Sequence, residues 1–196
     1  MNKTALRWLG HSLVIAAAAL LAGCADEVPL GPNRRPAFPA QLALVTPAEA
    51  APDLSGCESL RVQDGSELAF HVYATGVQIY RWNGRGWSFD GPSAVLYADA
   101  ERKGKVGTHY AGPRWETLSG SKVAGAFVDR CIPDPTAIPW LLLRATPEEG
   151  PGVFEGATFI QRVNTVGGQE PPHRGSFKGE VKEVPYTAEY FFYRAP

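Results

Sequence analysis

Leu68, Phe70 and Val72 alternate with Ala69, His71 and Tyr73, and the two-residue period of a half-buried strand returns from Val77 to Trp82. Asn83-Gly84 and Arg85-Gly86 follow, ahead of Trp87-Ser88-Phe89. Asn-Gly between two aromatic runs favours a tight hairpin, because both residues accept positive φ. Further short runs of strand character lie at 94–98, 106–111, 122–128, 140–145, 157–165 and 188–194. Turn clusters separate them: Asp90-Gly91-Pro92, Gly112-Pro113, Ser119-Gly120, Pro133-Asp134-Pro135, Glu149-Gly150-Pro151-Gly152 and Gly167-Gly168. No 12-residue segment beyond residue 56 sustains a helical period. The pattern predicts an all-β domain over 56–196, an antiparallel sandwich or barrel-like fold.

The first 55 residues follow different rules. Met1 to Trp8 carries two positive charges, an Ala-rich apolar run follows from Leu13 to Leu21, and Leu21-Ala22-Gly23-Cys24 closes it. This is the order of a secretory signal: charged, then apolar, then small residues at a cleavage site. The apolar run is shorter than the roughly 20 residues a spanning helix needs. Leu-Ala-Gly-Cys resembles the bacterial lipobox, which implies cleavage after residue 23 and lipidation of Cys24. Two or more acyl chains hold a protein stably to a bilayer where one holds it only reversibly. Ala25 follows the cysteine and Asp26 stands one place too late for an inner-membrane retention signal, so the periplasmic face of the outer membrane is the expected address in a Gram-negative host. From Glu27 to Asp53 the chain holds Pro29, Pro32, Pro36, Pro39, Pro47 and Pro52 with no hydrophobic period, the composition of an extended linker over 24–55.

Charge narrows the partners. Lys3 and Arg7 are the only charges ahead of Cys24, so the remainder carries 17 basic and 20 acidic residues, with no basic run or stripe. That argues against nucleic acid as a partner and leaves the membrane, through the lipid, and a small molecule, glycan or envelope protein. Cys57 and Cys131 remain once Cys24 is lipidated. They are either a disulfide or two buried thiols, and an exported setting tilts the balance to the bridge, which would add roughly 4 kcal/mol in the chain-entropy model.

Five stretches occur in one order: Val77-Gln78-Ile79-Tyr80-Arg81-Trp82, Thr108-His109-Tyr110-Ala111-Gly112-Pro113, Ile138-Pro139-Trp140-Leu141-Leu142-Leu143, Phe159-Ile160-Gln161-Arg162-Val163-Asn164-Thr165 and Pro185-Tyr186-Thr187-Ala188-Glu189-Tyr190. Over about residues 60–193 they resemble the bacterial and fungal family of domains of unknown function numbered 3455. The resemblance implies an envelope or extracellular setting and brings no activity, cofactor or catalytic residue. Some fungal members carry a malate dehydrogenase label, but this chain lacks the Gly-x-Gly-x-x-Gly fingerprint of dinucleotide binding.

Candidate chemistry is sparse. His71, His109 and His173 are not spaced as metal ligands, and there is no Cys-x-x-Cys, so neither a metal nor a cofactor is predicted. His109 precedes Tyr110 and a Gly-Pro turn, with Trp115-Glu116 close behind. An imidazole beside a carboxylate at a strand end can do acid–base work, which makes a hydrolase-like His109/Glu116 pair the alternative reading. No Gly-x-Ser-x-Gly elbow or activated nucleophile accompanies it. Trp and Tyr on a β scaffold either fill the core or hold sugars and apolar ligands. Gln161 and Arg162 interrupt an apolar strand, and buried polar groups need partners. The expectation is therefore a non-catalytic binding domain with a ligand pocket among His109, Tyr110, Trp115, Trp140, Gln161 and Arg162. A purely structural or stress-related envelope protein is the third reading.

Overall fold

The computed structural model describes residues 51–195 apart from Ser55, Pro151 and the side chain of Glu149. The predicted signal segment 1–23, Cys24 and the predicted linker up to residue 50 lie outside the described residues. Period-2 alternation builds the strands β1 (Glu67–Trp82), β2 (Trp87–Tyr97), β3 (Lys105–Tyr110), β4 (Arg114–Thr117), β5 (Lys122–Cys131), β6 (Trp140–Glu149), β7 (Ala157–Gly167) and β8 (Val181–Arg194). Each runs antiparallel to the next, and β8 returns to pair with β1, which closes the sheet into an up-and-down barrel. Closure leaves none of these eight strands with an exposed edge.

The register sorts the side chains into two surfaces. Phe70, Val72, Ala74, Leu96, Trp115, Val123, Leu143, Ile160, Tyr186, Ala188, Tyr190 and Phe192 form the main core inside the barrel. One end is plugged by Phe154 from the β6–β7 connection, whose ring lies 5.1 Å from Phe70 and 5.0 Å from Phe192; Phe70 and Phe192 stack at 4.4 Å. The other end carries the turns 83–86 and 111–113 and the longer connections 132–139 and 168–180. Outward from β6, β7 and β8, Leu142, Phe159, Val163, Phe191 and Tyr193 are buried under Cys57 and Leu60. The segment before β1, with a 3-10 turn at Glu58–Leu60, thus straps an apolar outer wall. A disulfide between Cys57 and Cys131 ties that strap to the end of β5.

Several turn signals resolve differently from the sequence reading. β1 runs unbroken through Thr75-Gly76, joining two predicted strands. Asp90-Gly91-Pro92 is not a turn: Ile79 pairs with Gly91 and Tyr80 with Phe89, so Asp90 is the extra residue of a bulge inside β2. Asn83-Gly84 does close a hairpin, with Asn83 N–H donating to Gly86 O and Asn83 Oδ1 accepting from the Arg85 and Gly86 amides. β4 is four residues long and carries too little period to be read from sequence.

Gly76 marks where β1 and β2 press together. A Cβ built there would lie 2.1 Å from Ser93 O and 2.5 Å from Ala94 Cα, both backbone atoms that cannot swing aside. Gly76→Ala therefore forces the two strands apart. We expect a loss of at least about 2 kcal/mol, a fall in Tm on the order of 8 °C in a circular dichroism melt. An unchanged Tm would show that the β1–β2 approach is not tight.

Candidate functional site

The inner surface changes character along the barrel axis. Near the Phe154 plug it is aromatic and filled; towards the opposite end it becomes polar. His109 on β3 faces in, its ring stacked at 4.3 Å on Trp115 of the neighbouring β4 and edge-on at 5.1 Å to Tyr190 of β8. Arg162 on β7 pairs in register with Tyr190 and Leu141, which puts its side chain on the same surface. Gln78 and Tyr80 arrive from β1, and Tyr186 and Tyr190 from β8, four residues apart and so on one face.

Burial dominates the electrostatics. His109 is fully buried, and desolvation pulls its pKa down to about 3, aided by the Arg162 charge and opposed by its bond to the Arg114 carbonyl. The imidazole is therefore neutral. Its Nδ1 sits 2.8 Å from Arg114 O, an acceptor, so Nδ1 carries the hydrogen and Nε2 keeps a lone pair. Burial raises the pKa of Tyr186 and of Tyr190, so both phenols stay protonated. Burial also raises Tyr80, with help from the Glu170 carboxylate and against Arg162. The Tyr80 hydroxyl donates to Gly168 O at 2.7 Å.

The remaining polar atoms here are left incomplete. Gln78 Nε2, Trp115 Nε1, Tyr186 Oη and Tyr190 Oη are buried without a hydrogen-bond partner. The two phenols approach one another, and Tyr190 approaches Arg162, yet neither hydroxyl completes a bond. Each such group forfeits roughly 1–3 kcal/mol of solvation. Arg162 donates from both Nε (3.1 Å) and Nη2 (2.8 Å) to Pro139 O, which fastens the β5–β6 connection over the barrel end. Thr165 Oγ1 adds a 2.6 Å bond to Ile138 O, and Gly168 sits against Gln78, Tyr186 and Ile138.

Of the residues singled out in the sequence, His109, Trp115 and Arg162 come together inside the barrel. Tyr110, Trp140 and Gln161 do not. Tyr110 faces outward and its hydroxyl donates to Glu116 Oε2 at 3.0 Å. Trp140 packs on the outer wall beside Cys131. Gln161 also points outward, under the strap, where Nε2 donates to Leu60 O at 2.7 Å and Oε1 accepts from Tyr193 Oη at 2.6 Å. Gln161 and Tyr193 lie at the wall of a groove of about 420 Å³ formed by residues 51–54, 58 and 61–66, but their polar groups are satisfied there. Glu116 pairs with Thr108 in register and Trp115 with His109, so His109 and Glu116 stand on opposite sides of the sheet. An acid–base pair between them has no geometric basis.

Sequence reasoning missed Gln78, Tyr80, Tyr186 and Tyr190 as site residues. The signal for the first two was the single face shared by Gln78, Tyr80 and Trp82, where a Gln stands beside two aromatics. His71 forms a separate, outward cluster: its Nε2 lies 2.9 Å from Glu189 Oε2, and Asn164, at φ 50°, donates from Nδ2 to Glu189 Oε1. Burial works to raise the Glu189 pKa, but the bonds from His71 and Asn164 outweigh it and hold the carboxyl low. Among the described residues no group of three or more His, Cys, Asp or Glu could hold a metal ion.

Residues 63–194 match the model of the family described as "Protein of unknown function (DUF3455)". The chain belongs to that family. No curated protein and no solved structure matches it.

His109 gives a pH test with a fixed sign. The unfolded chain takes up this proton below about 6.5 while the folded chain resists to about 3, so stability is complete above 6.5 and is lost progressively as pH falls towards 3. Urea titrations at pH 7 and pH 5 should differ by about 2 kcal/mol from this group. His109→Gln should flatten that difference; a slope unchanged in the variant would place the titrating group elsewhere.

Proposed function

We propose that this chain is an exported lipoprotein, held to a membrane by lipid on Cys24, whose barrel binds a small ligand in the polar half of its interior without catalysing a reaction. The observation that carries the binding reading is the set of four buried, unpartnered atoms of Gln78, Trp115, Tyr186 and Tyr190 converging with Arg162 and His109. A barrel of about eight strands is wide enough either to be filled by side chains or to hold one small ligand. Here one half is filled by Phe70, Phe154 and Phe192, and the other holds buried polar groups, four of whose atoms lack partners. The separation of His109 from Glu116 removes the hydrolase-like alternative's only pair.

The anchor rests on the signal-like first 23 residues and the lipobox-like Leu21-Ala22-Gly23-Cys24. The Cys57–Cys131 bridge supports it, since such bonds persist in oxidising compartments. The periplasmic face of the outer membrane is the address proposed from Ala25 and Asp26.

Two experiments test the two halves. Cys24→Ala should release the protein from the membrane fraction or leave it unprocessed; unchanged cleavage and partitioning would refute the anchor. For the barrel, titration with benzyl alcohol followed by NMR should move the Trp115 indole N–H and the Gln78 side-chain amide signals. If both stay fixed up to solubility while the protein remains folded, the interior is a closed structural core and the binding reading falls.

A further inference from the structure

We propose that the barrel interior selects a small apolar monocarboxylate, anchored on Arg162 and the Tyr186–Tyr190 pair. This rests on the interior-binding reading above and adds the ligand's chemistry to it.

The inventory of free groups is one-sided. Gln78 Nε2 and Trp115 Nε1 can only donate, and the Tyr190 hydroxyl, kept protonated by burial and approached on its oxygen by Tyr186, has a hydrogen to give. Arg162 commits Nε and Nη2 to Pro139 O and reaches towards the Tyr190 hydroxyl. Among the described residues no carboxylate forms an ion pair with Arg162. Its charge nevertheless reaches His109, Tyr80, Tyr186 and Tyr190. A half-buried cation without a counter-charge, ringed by donors that lack acceptors, is complementary to an anion rich in acceptors.

His109 does not compete for that role. Buried and neutral, it brings no second positive charge, and its Nε2 lone pair can accept from a ligand hydroxyl. Glu170 is the carboxylate felt nearby, through Tyr80 at the rim, and not through Arg162's own contacts.

Size and polarity of the rest of the ligand follow from the walls. Below Arg162 the surface turns to Trp115, Leu143, Ile160 and Phe192, and the stacked Phe70–Phe192 pair with Phe154 fills the depth. A long chain has no room to descend. A planar or compact apolar group ending in one carboxylate places its oxygens at Arg162 and the two phenols, and its body against Trp115. Burying that group also puts Trp115 next to the ligand, which provides a fluorescence signal.

Benzoate, benzamide and benzyl alcohol share one ring and differ in charge, so they separate the two claims. Titrations of the full-length protein, read by tryptophan fluorescence and by the Trp115 indole NMR signal, should show benzoate binding at least about tenfold more tightly than either neutral analogue. Arg162→Gln should abolish that preference, and Arg162→Lys should keep part of it. Tyr190→Phe, which leaves the bonds to Pro139 untouched, should weaken benzoate several-fold and benzamide little. Equal binding of all three by the wild-type protein, or a benzoate preference that survives Arg162→Gln, would overturn the anion claim while leaving interior binding intact. Failure of all three to perturb Trp115 would overturn both. Circular dichroism melts of each variant separate loss of binding from loss of fold.

Discussion

Pairing between β8 and β1 is the contact on which the rest of the molecule depends. It extends over fourteen register positions, from Glu67 opposite Arg194 to Arg81 opposite Val181. Without it the eight strands are an open meander with two exposed edges and one apolar face in water. With it, alternate residues of every strand become an interior, and the bonding capacity of both end strands is used. The closure is also why Gly76 and Gly107 have no side chain. At each, a Cβ would strike the backbone of the adjoining strand, at 2.1 Å from Ser93 O and 2.3 Å from Glu116 O. A small barrel turns tight corners, and glycine is the residue that lets a strand bend there.

A closed interior also sets the terms for the polar groups inside it. Hydrophobic layers reach from Phe154 up to Trp115 and stop; beyond them lie His109, Arg162, Gln78 and three tyrosines. Such groups cost free energy when buried and incompletely bonded. The loops that cover this end are built from the same groups. Arg162 holds Pro139, Thr165 holds Ile138 and Tyr80 holds Gly168. Cover and interior are thus one hydrogen-bonded unit, so a change in occupancy beneath would be felt at the 132–139 and 168–180 connections.

Much of the fold was legible because alternation survives in single strands: Phe70-Val72 and Ile160-Arg162 each announce one face, while a register shift after Leu68 turns that residue to the outer wall beside Tyr193. What could not be read is non-local or phase-dependent. That the first and last strands pair is a matter of closure, which no short window contains. Gln161 and Arg162 are neighbours, so only one of them can face inward, and the register shift between Ala157 and Phe159 decides which. The sequence therefore flagged both, and the barrel keeps Arg162. The same logic separates Tyr110 from His109 and Trp140 from Leu141. Asp90-Gly91-Pro92 misled because a bulge and a turn favour the same residues.

The Cys57–Cys131 bond has a mechanical meaning beyond its effect on stability. Chain entering from residue 51 meets this bond before it reaches the strap and β1. Tension applied from that side passes across the two sulfurs into β5, and residues 58–66 stay slack. The long β1 ladder, which closes the barrel, is then never the first thing pulled. A body hung from a leash would in this way be gripped by its wall and spared at its seam.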